Sequence, residues 1–374
     1  MSYKKFVFLS ILIPLPIIFA LGILLYVYDP LRLYHKPWFR NDTYYYGKLL
    51  QNKSFIDNND FNSIVIGNSY LENISPKQAN KKLNTEGNVW TNLSSGGSSH
   101  NQRYSIIKYA IKKKNIKNII TLFDGINSST LDINYNHSIL YDNNPFNDFQ
   151  IYINKKFIIC ALLFSKSQKC VGNTKDELYG GWIHDKKAKR LFGGIENWLK
   201  YFEGNAEIAI KTIIKKSQEK ETNKTVSDIS DKYFYKKYIN KFIFSYAKEY
   251  KNINFYIIIP TYSRLHYKLN YKNNYFYDWK KMIIYLVDES QKYSNVKIYG
   301  FDDLDYADDI ANYKDLTHYN IDMNEIQLDA IKNQTNILTP ANIDEYFKIM
   351  EEKIKNYDLN PLIEQIKASG ILDK

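Results

Sequence analysis

From Phe6 to Tyr28 the chain reads FVFLSILIPLPIIFALGILLYVY, 23 residues without a charge, directly after Lys4 and Lys5. No other feature restricts the fold so strongly. As a helix this run extends about 34 Å at ~1.5 Å per residue, enough to cross a hydrocarbon core of ~30 Å. Pro14 and Pro16 kink it, which membrane helices tolerate. A cleaved signal peptide is the alternative. The run is long for one, however, and it exits through Tyr26, Val27 and Tyr28, not a small-x-small cleavage site. The expectation is an uncleaved anchor at 6–28 behind a cytoplasmic tip at 1–5. Lys4 and Lys5 are answered by Arg32, Lys36 and Arg40, so flanking charge does not orient the span alone. A short basic N-terminus before a single leading span favours the N-terminus inside. No second apolar run of spanning length follows, which predicts one pass and a bulk outside the cytoplasm.

The remainder of the 374 residues has the means to build a core, since 44% of the chain is hydrophobic and 16% aromatic. That composition excludes a disordered or collagen-like chain. Lys and Arg number 51 against 40 Asp and Glu, a formal net charge of +11. Such a surface suits anionic lipid head groups or acidic glycans. Nucleic acid is not expected as a partner, because no basic helix, zinc finger or RNA-binding signature is present. The two cysteines, Cys160 and Cys170, exclude a disulfide-dense scaffold and a Cys-rich zinc module. They fit a disulfide in an oxidising compartment or, since Cys160 sits in the apolar run 157–164, a buried free thiol. His35, His137, His184 and His266 are scattered without ligand spacing, so neither a metal nor a cofactor is expected.

After a Tyr-rich connector (29–59), short apolar runs alternate with helical patterns. Strands are expected at 63–66, 89–93, 119–123, 255–259 and 296–300, with helices over 101–114 and around 282–287. Continuous apolar strands separated by helices indicate a parallel sheet covered on both faces. The fold class predicted is therefore α/β, a three-layer α/β/α domain with a five-stranded, mostly parallel sheet. Its core spans 60–130 and 252–345, followed by a helical tail at 346–374. The stretch 131–251, including a helical pattern at 195–214 and a lysine-rich patch at 215–232, interrupts this rhythm. It reads as a helical insertion capping the active face, with a second independent domain as the alternative.

In an open α/β sheet, ligands bind at the carboxyl ends of the strands. The first strand runs into Gly67-Asn68-Ser69-Tyr70, where a serine beside a small glycine is placed to act as a nucleophile. The second ends in Ser94-Ser95-Gly96-Gly97-Ser98-Ser99-His100, whose glycines let a backbone N–H approach a developing oxyanion. The third ends in Asp124-Gly125-Ile126-Asn127, whose amide is a further donor. After the fifth comes Asp315-Leu316-Thr317-His318, in which a histidine three residues beyond an aspartate reaches the serine while the aspartate orients it. His100 and Asn68 are weaker candidates for substrate contact, with a loop-surface role the plainer reading of His100. Trp182 and Trp198 in the insertion suit stacking on sugar rings, although core packing is their default.

These four pieces, in this order, resemble the SGNH (GDSL-like) hydrolase superfamily, over about 61–132 and 252–320. Gly-Asn-Ser replaces the usual Gly-Asp-Ser, and the aspartate that commonly follows the third block is missing. The resemblance implies a catalytic Ser69–His318–Asp315 triad and an oxyanion hole from Ser69, Gly96 or Gly97, and Asn127. A single anchor on an extracytoplasmic domain is similar to the subgroup of alginate O-acetylation and lipoteichoic-acid D-alanylation proteins. This implies a bacterial inner-membrane protein facing the periplasm. Its expected activity is that of a serine esterase or O-acyltransferase on a cell-envelope polysaccharide, in O-acetylation, beside a polytopic membrane-bound O-acyltransferase. The alternative from another class is a non-catalytic glycan-binding or scaffold partner of such an acyltransferase.

Overall fold

The computed structural model describes residues 2–83, 87–126, 130–133, 135–142, 144–178, 181–219, 234–271 and 275–373. The chain forms two compact units, Met1–Asn59 with Ile133–Leu178, and 60–132 with 179–374. The stretch expected as one insertion is thus shared between them, and most of its lysine-rich patch lies outside the described residues.

In the first unit, Tyr3–Tyr28 is helical and long and apolar enough to cross a membrane. It divides into Tyr3–Leu12 and Leu15–Tyr28 at Pro14, which lacks an N–H to continue the ladder. Asp29 ends the helix in the left-handed region, and its carboxylate accepts the N–H groups of Leu33, Tyr34 and His35 at 2.9–3.0 Å. Tyr152 donates its hydroxyl to the same carboxylate. Beyond this turn a small core gathers Leu25, Leu31, Tyr45, Tyr152, Phe157 and Val171. Cys160 and Cys170 lie in that core as a disulfide.

The second unit is α/β. Its sheet has six strands in the order β2-β1-β3-β4-β5-β6: β1 Ser63–Ile66, β2 Trp90–Asn92, β3 Asn118–Leu122, β4 Asn254–Ile258, β5 Val296–Tyr299 and β6 Ile337–Leu338. The first five are parallel, in a register that sets Val65 beside both Asn92 and Ile120, and Ile257 beside Ile298. Ile64, Val65, Ile119, Ile120, Ile257 and Ile258 are all buried, as the continuous apolar runs require. The expected five-stranded sheet is corrected by one strand, since β6 pairs antiparallel with β5. Two residues are too short to leave a periodicity in the sequence. The helical pattern at 195–214 resolves into Ile195–Lys200 and Gly204–Gln218, broken at Tyr201–Glu203. Strand order reverses between β1 and β3, and at such a switch point the loops after the two strands diverge and leave a crevice.

Candidate functional site

Ser69 follows β1 by three residues, and the turn holding it is set by Gly67. A Cβ at position 67 would lie 2.5 Å from the Leu122 side chain and 2.9 Å from that of Leu71, so only glycine lets β1 end this close to β3. The Gly67 N–H donates to Ser94 Oγ at 2.9 Å, while its carbonyl accepts from the Ser95 N–H and Ser98 Oγ at 3.0 Å. The loop after β2 is therefore stitched to the end of β1. Gly96 and Gly97 form its exposed tip, Gly97 at φ +70°, where a side chain would be strained.

Across the site, Tyr313 and Tyr319 bridge antiparallel and the Lys314 N–H donates to the His318 carbonyl at 3.1 Å, closing a tight loop over 314–318. Asp315 organises that loop from within. Its Oδ1 accepts the N–H groups of Thr317 and His318, both at 2.9 Å, and its Oδ2 lies 2.9 Å from His318 Nδ1. The remaining ring nitrogen, His318 Nε2, lies 2.8 Å from Ser69 Oγ. Ser69, His318 and Asp315, spread over nearly 250 residues, thus form one hydrogen-bonded chain. Burial pushes the Asp315 carboxyl up, but the His318 hydrogen bond and charge, Lys314 and the Thr317 N–H outweigh it and hold it well below the usual carboxylate range. The aspartate is ionised, so it fixes the tautomer with Nδ1 protonated and Nε2 free to accept the serine proton.

Two further contributors come from the stretch without a strand rhythm. Asn205, on Gly204–Gln218, donates its amide to Asp315 Oδ2 at 2.9 Å. Trp182 donates its indole N–H to the Ser69 carbonyl at 2.8 Å and packs edge-on to His318, its centroid 6.0 Å away. Core packing, the default for Trp182, gives way to a place against the serine itself. Only the lone Trp after Gly180-Gly181 signals it, and nothing signals Asn205. The Tyr70 carbonyl is held by Tyr319 Oη and Asn324 Nδ2, at 3.1 and 2.9 Å. Carbonyls on both residues of the serine turn are thereby pinned. Beside the histidine, a groove of about 290 Å³ is lined by Asn205, Ile208, His266, Asp315, Thr317 and His318.

The weaker candidates fall elsewhere. Asn68 is buried, with its amide donated to Asp124 Oδ2 at 2.7 Å and its oxygen accepting the Tyr70 N–H at 3.1 Å, so it shapes the turn. His100 is not on the loop surface. It starts the helix His100–Lys113 with 2% exposure, its Nε2 lying 3.2 Å from Asp124 Oδ1 and its Nδ1 3.2 Å from Tyr238 Oη. A capping box, Ser99 with Gln102, begins the helix there and turns the ring inward. Asn127 lies outside the described residues. Among the described residues, no group of three His, Cys, Asp or Glu side chains is placed to hold a metal ion. Comparison with protein-family models, with curated proteins and with solved structures yields no match.

Proposed function

We propose that the protein is a membrane-anchored, serine-dependent esterase or O-acyltransferase that acts on a cell-envelope polysaccharide outside the cytoplasm. The observation that carries the reading is the Ser69–His318–Asp315 chain, with contacts of 2.8 and 2.9 Å at the switch point of the sheet. The fold then belongs with the three-layer SGNH arrangement, which its α/β sheet and four sequence blocks support. His318 Nε2 takes the Ser69 proton as Oγ attacks an ester carbonyl, and Asp315 stabilises the imidazolium that forms. The Ser69 N–H, a glycine N–H from the 96–97 loop and the Asn127 amide are assigned to the oxyanion. The protonated histidine then returns its proton to the departing alkoxide, leaving an acyl-serine that a sugar hydroxyl or water resolves.

The helix Tyr3–Tyr28 serves as the anchor of an inner-membrane protein, and the Cys160–Cys170 disulfide suits an oxidising, extracytoplasmic compartment. A polytopic membrane-bound O-acyltransferase is the partner that supplies the acyl group. A fluorophosphonate probe tests the chemistry directly. Full-length protein should be labelled, and the Ser69→Ala and His318→Ala variants should not. Unlabelled wild-type protein that still supports glycan acylation in cells would turn the reading to a non-catalytic scaffold.

A further inference from the structure

Where the apolar helix ends, the first unit leaves bulky apolar side chains on its surface. Trp38 and Phe39 are 57% and 60% exposed, and Leu162 and Leu163 are 62% and 71% exposed at the end of the helix Lys155–Leu162. They are contiguous with the span through ring contacts: Tyr26 with Trp38 at 6.4 Å, Tyr28 with Phe164 at 6.1 Å, and Phe39 with Phe164 at 6.2 Å. Between them opens a cavity of about 460 Å³, walled by Tyr28, Trp38, Phe39 and Phe164 and carrying Arg40 and Lys166. No carboxylate lines it among the described residues. Arg40 Nη2 donates to the carbonyls of Asp29 and Pro30 at 2.9 and 3.2 Å, which fixes the cation at the mouth of the span. Its Nε is buried without a hydrogen-bond partner. Lys166 is exposed, its ammonium on a flexible stem.

An apolar-walled cavity at a membrane-helix end, rimmed by Trp and two cations, is chemically matched to one amphiphile. We infer that it seats a glycerophospholipid of the leaflet in which the helix ends. An acyl chain lies along Phe39 and Phe164, Trp38 sits at head-group depth, and the phosphate faces Arg40 and Lys166. The inference rests on Tyr3–Tyr28 crossing the bilayer, and it adds that the surface beyond the span lies in the interface. A polytopic protein is the competing occupant. The two cations, a lining without a carboxylate among the described residues, and a cavity of small-ligand size favour the lipid.

The test uses the full chain in nanodiscs of phosphatidylglycerol and phosphatidylcholine, with and without chains brominated on the carbons nearest the ester, which quench tryptophans at the head-group boundary. Of the five tryptophans, Trp90, Trp198 and Trp279 are buried in the second unit. Quenching should remove about a fifth of the emission, one tryptophan in five, and Trp38→Phe should abolish that loss. Native mass spectrometry should find one retained phospholipid, lost in the double variant Phe39→Ser, Phe164→Ser. Lys166→Glu should retain phosphatidylglycerol about tenfold less well. These side chains are exposed, so circular dichroism should be unchanged. Alkaline carbonate extraction separates the two claims. Protein that resists extraction while Trp38 stays unquenched overturns the lipid seat and leaves the span standing, whereas protein that is extracted overturns both. Retention of a polytopic protein in place of lipid, lost in the same double variant, overturns the lipid in favour of that partner.

Discussion

Beyond β3, Asp124 lies 3.2 Å from His100 Nε2; in the loop 314–318, Asp315 lies 2.9 Å from His318 Nδ1. Both acids flank the serine turn, and both carry a histidine. They differ in what else they hold. Asp124 faces Arg103 Nη2 and Asn68 Nδ2, each at 2.7 Å, so a full cation answers its charge. His100 is sealed at its other nitrogen by Tyr238 Oη, at 2% exposure. Apart from the His318 ring, Asp315 meets the N–H groups of Thr317 and His318 and the Asn205 amide at hydrogen-bond distance, and the nearest fixed cation, Lys314 Nζ, is more distant at 3.7 Å. The far nitrogen of His318 ends on a hydroxyl, and its side chain keeps 21% exposure. An acid paired with a buried arginine is committed to the fold. One without a bound arginine leaves its charge to the histidine, as the proposed proton transfer from Ser69 requires.

The comparison predicts its largest effect at the serine. Ser69→Ala and His318→Ala should each lower cleavage of p-nitrophenyl acetate by about 10⁴–10⁶-fold, and by similar amounts, because the pair acts as a unit. His100→Gln should cost far less activity than either. An equal loss at His100, in a variant that remains folded by circular dichroism, would erase the distinction between the pairs. Next in size, Asp315→Asn should lower turnover by about 10⁴-fold with the fold intact, since an amide neither holds the tautomer nor stabilises the imidazolium.

How much of this was legible follows from where the signals lie. Ser69, Asp315 and His318 stand directly after apolar strands or in a short acid–histidine spacing, so periodicity and local chemistry locate them together. The five parallel strands are legible for the same reason, whereas β6 is only Ile337–Leu338 and depends on pairing with β5. His100 defeats local reading because it follows a Gly-Gly loop. Its burial is decided by a capping box at Ser99 and by Tyr238, 138 residues away. Asn205 and Trp182 come from the stretch without a strand rhythm, so nothing local says that they reach Asp315 and Ser69.

The Asp124 pair should answer in stability. Asp124→Ala leaves Arg103, 2% exposed, without its buried carboxylate, and should cost about 3–5 kcal/mol in denaturant unfolding. Replacing Arg103 by Met in the same chain should recover part of that loss, since an apolar side chain leaves no buried charge. A small loss for Asp124→Ala alone would mean that solvent reaches this network, and that the two acids differ less than their geometry implies.

The smallest expected effect belongs to a third histidine, which tests whether the reactive chain extends past His318. His266 lines the same groove as Asp315, Thr317 and His318. Burial pushes its pKa down from 6.5 to about 4; Lys216 adds to the shift and Asp315 opposes it. Between those values the unfolded chain binds a proton that the folded chain does not, so unfolding becomes easier as pH falls. The stabilisation is complete above pH 6.5, is lost progressively towards pH 4, and loses nothing further below it. Thermal melts across this window should decline less steeply for His266→Phe than for the wild type. The ester-cleavage pH profile should keep its position, because His318 reaches Ser69 and Asp315 without passing through His266. A profile displaced by His266→Phe would place this ring in the proton path, and the contrast would then lie between one sealed histidine and two reactive ones.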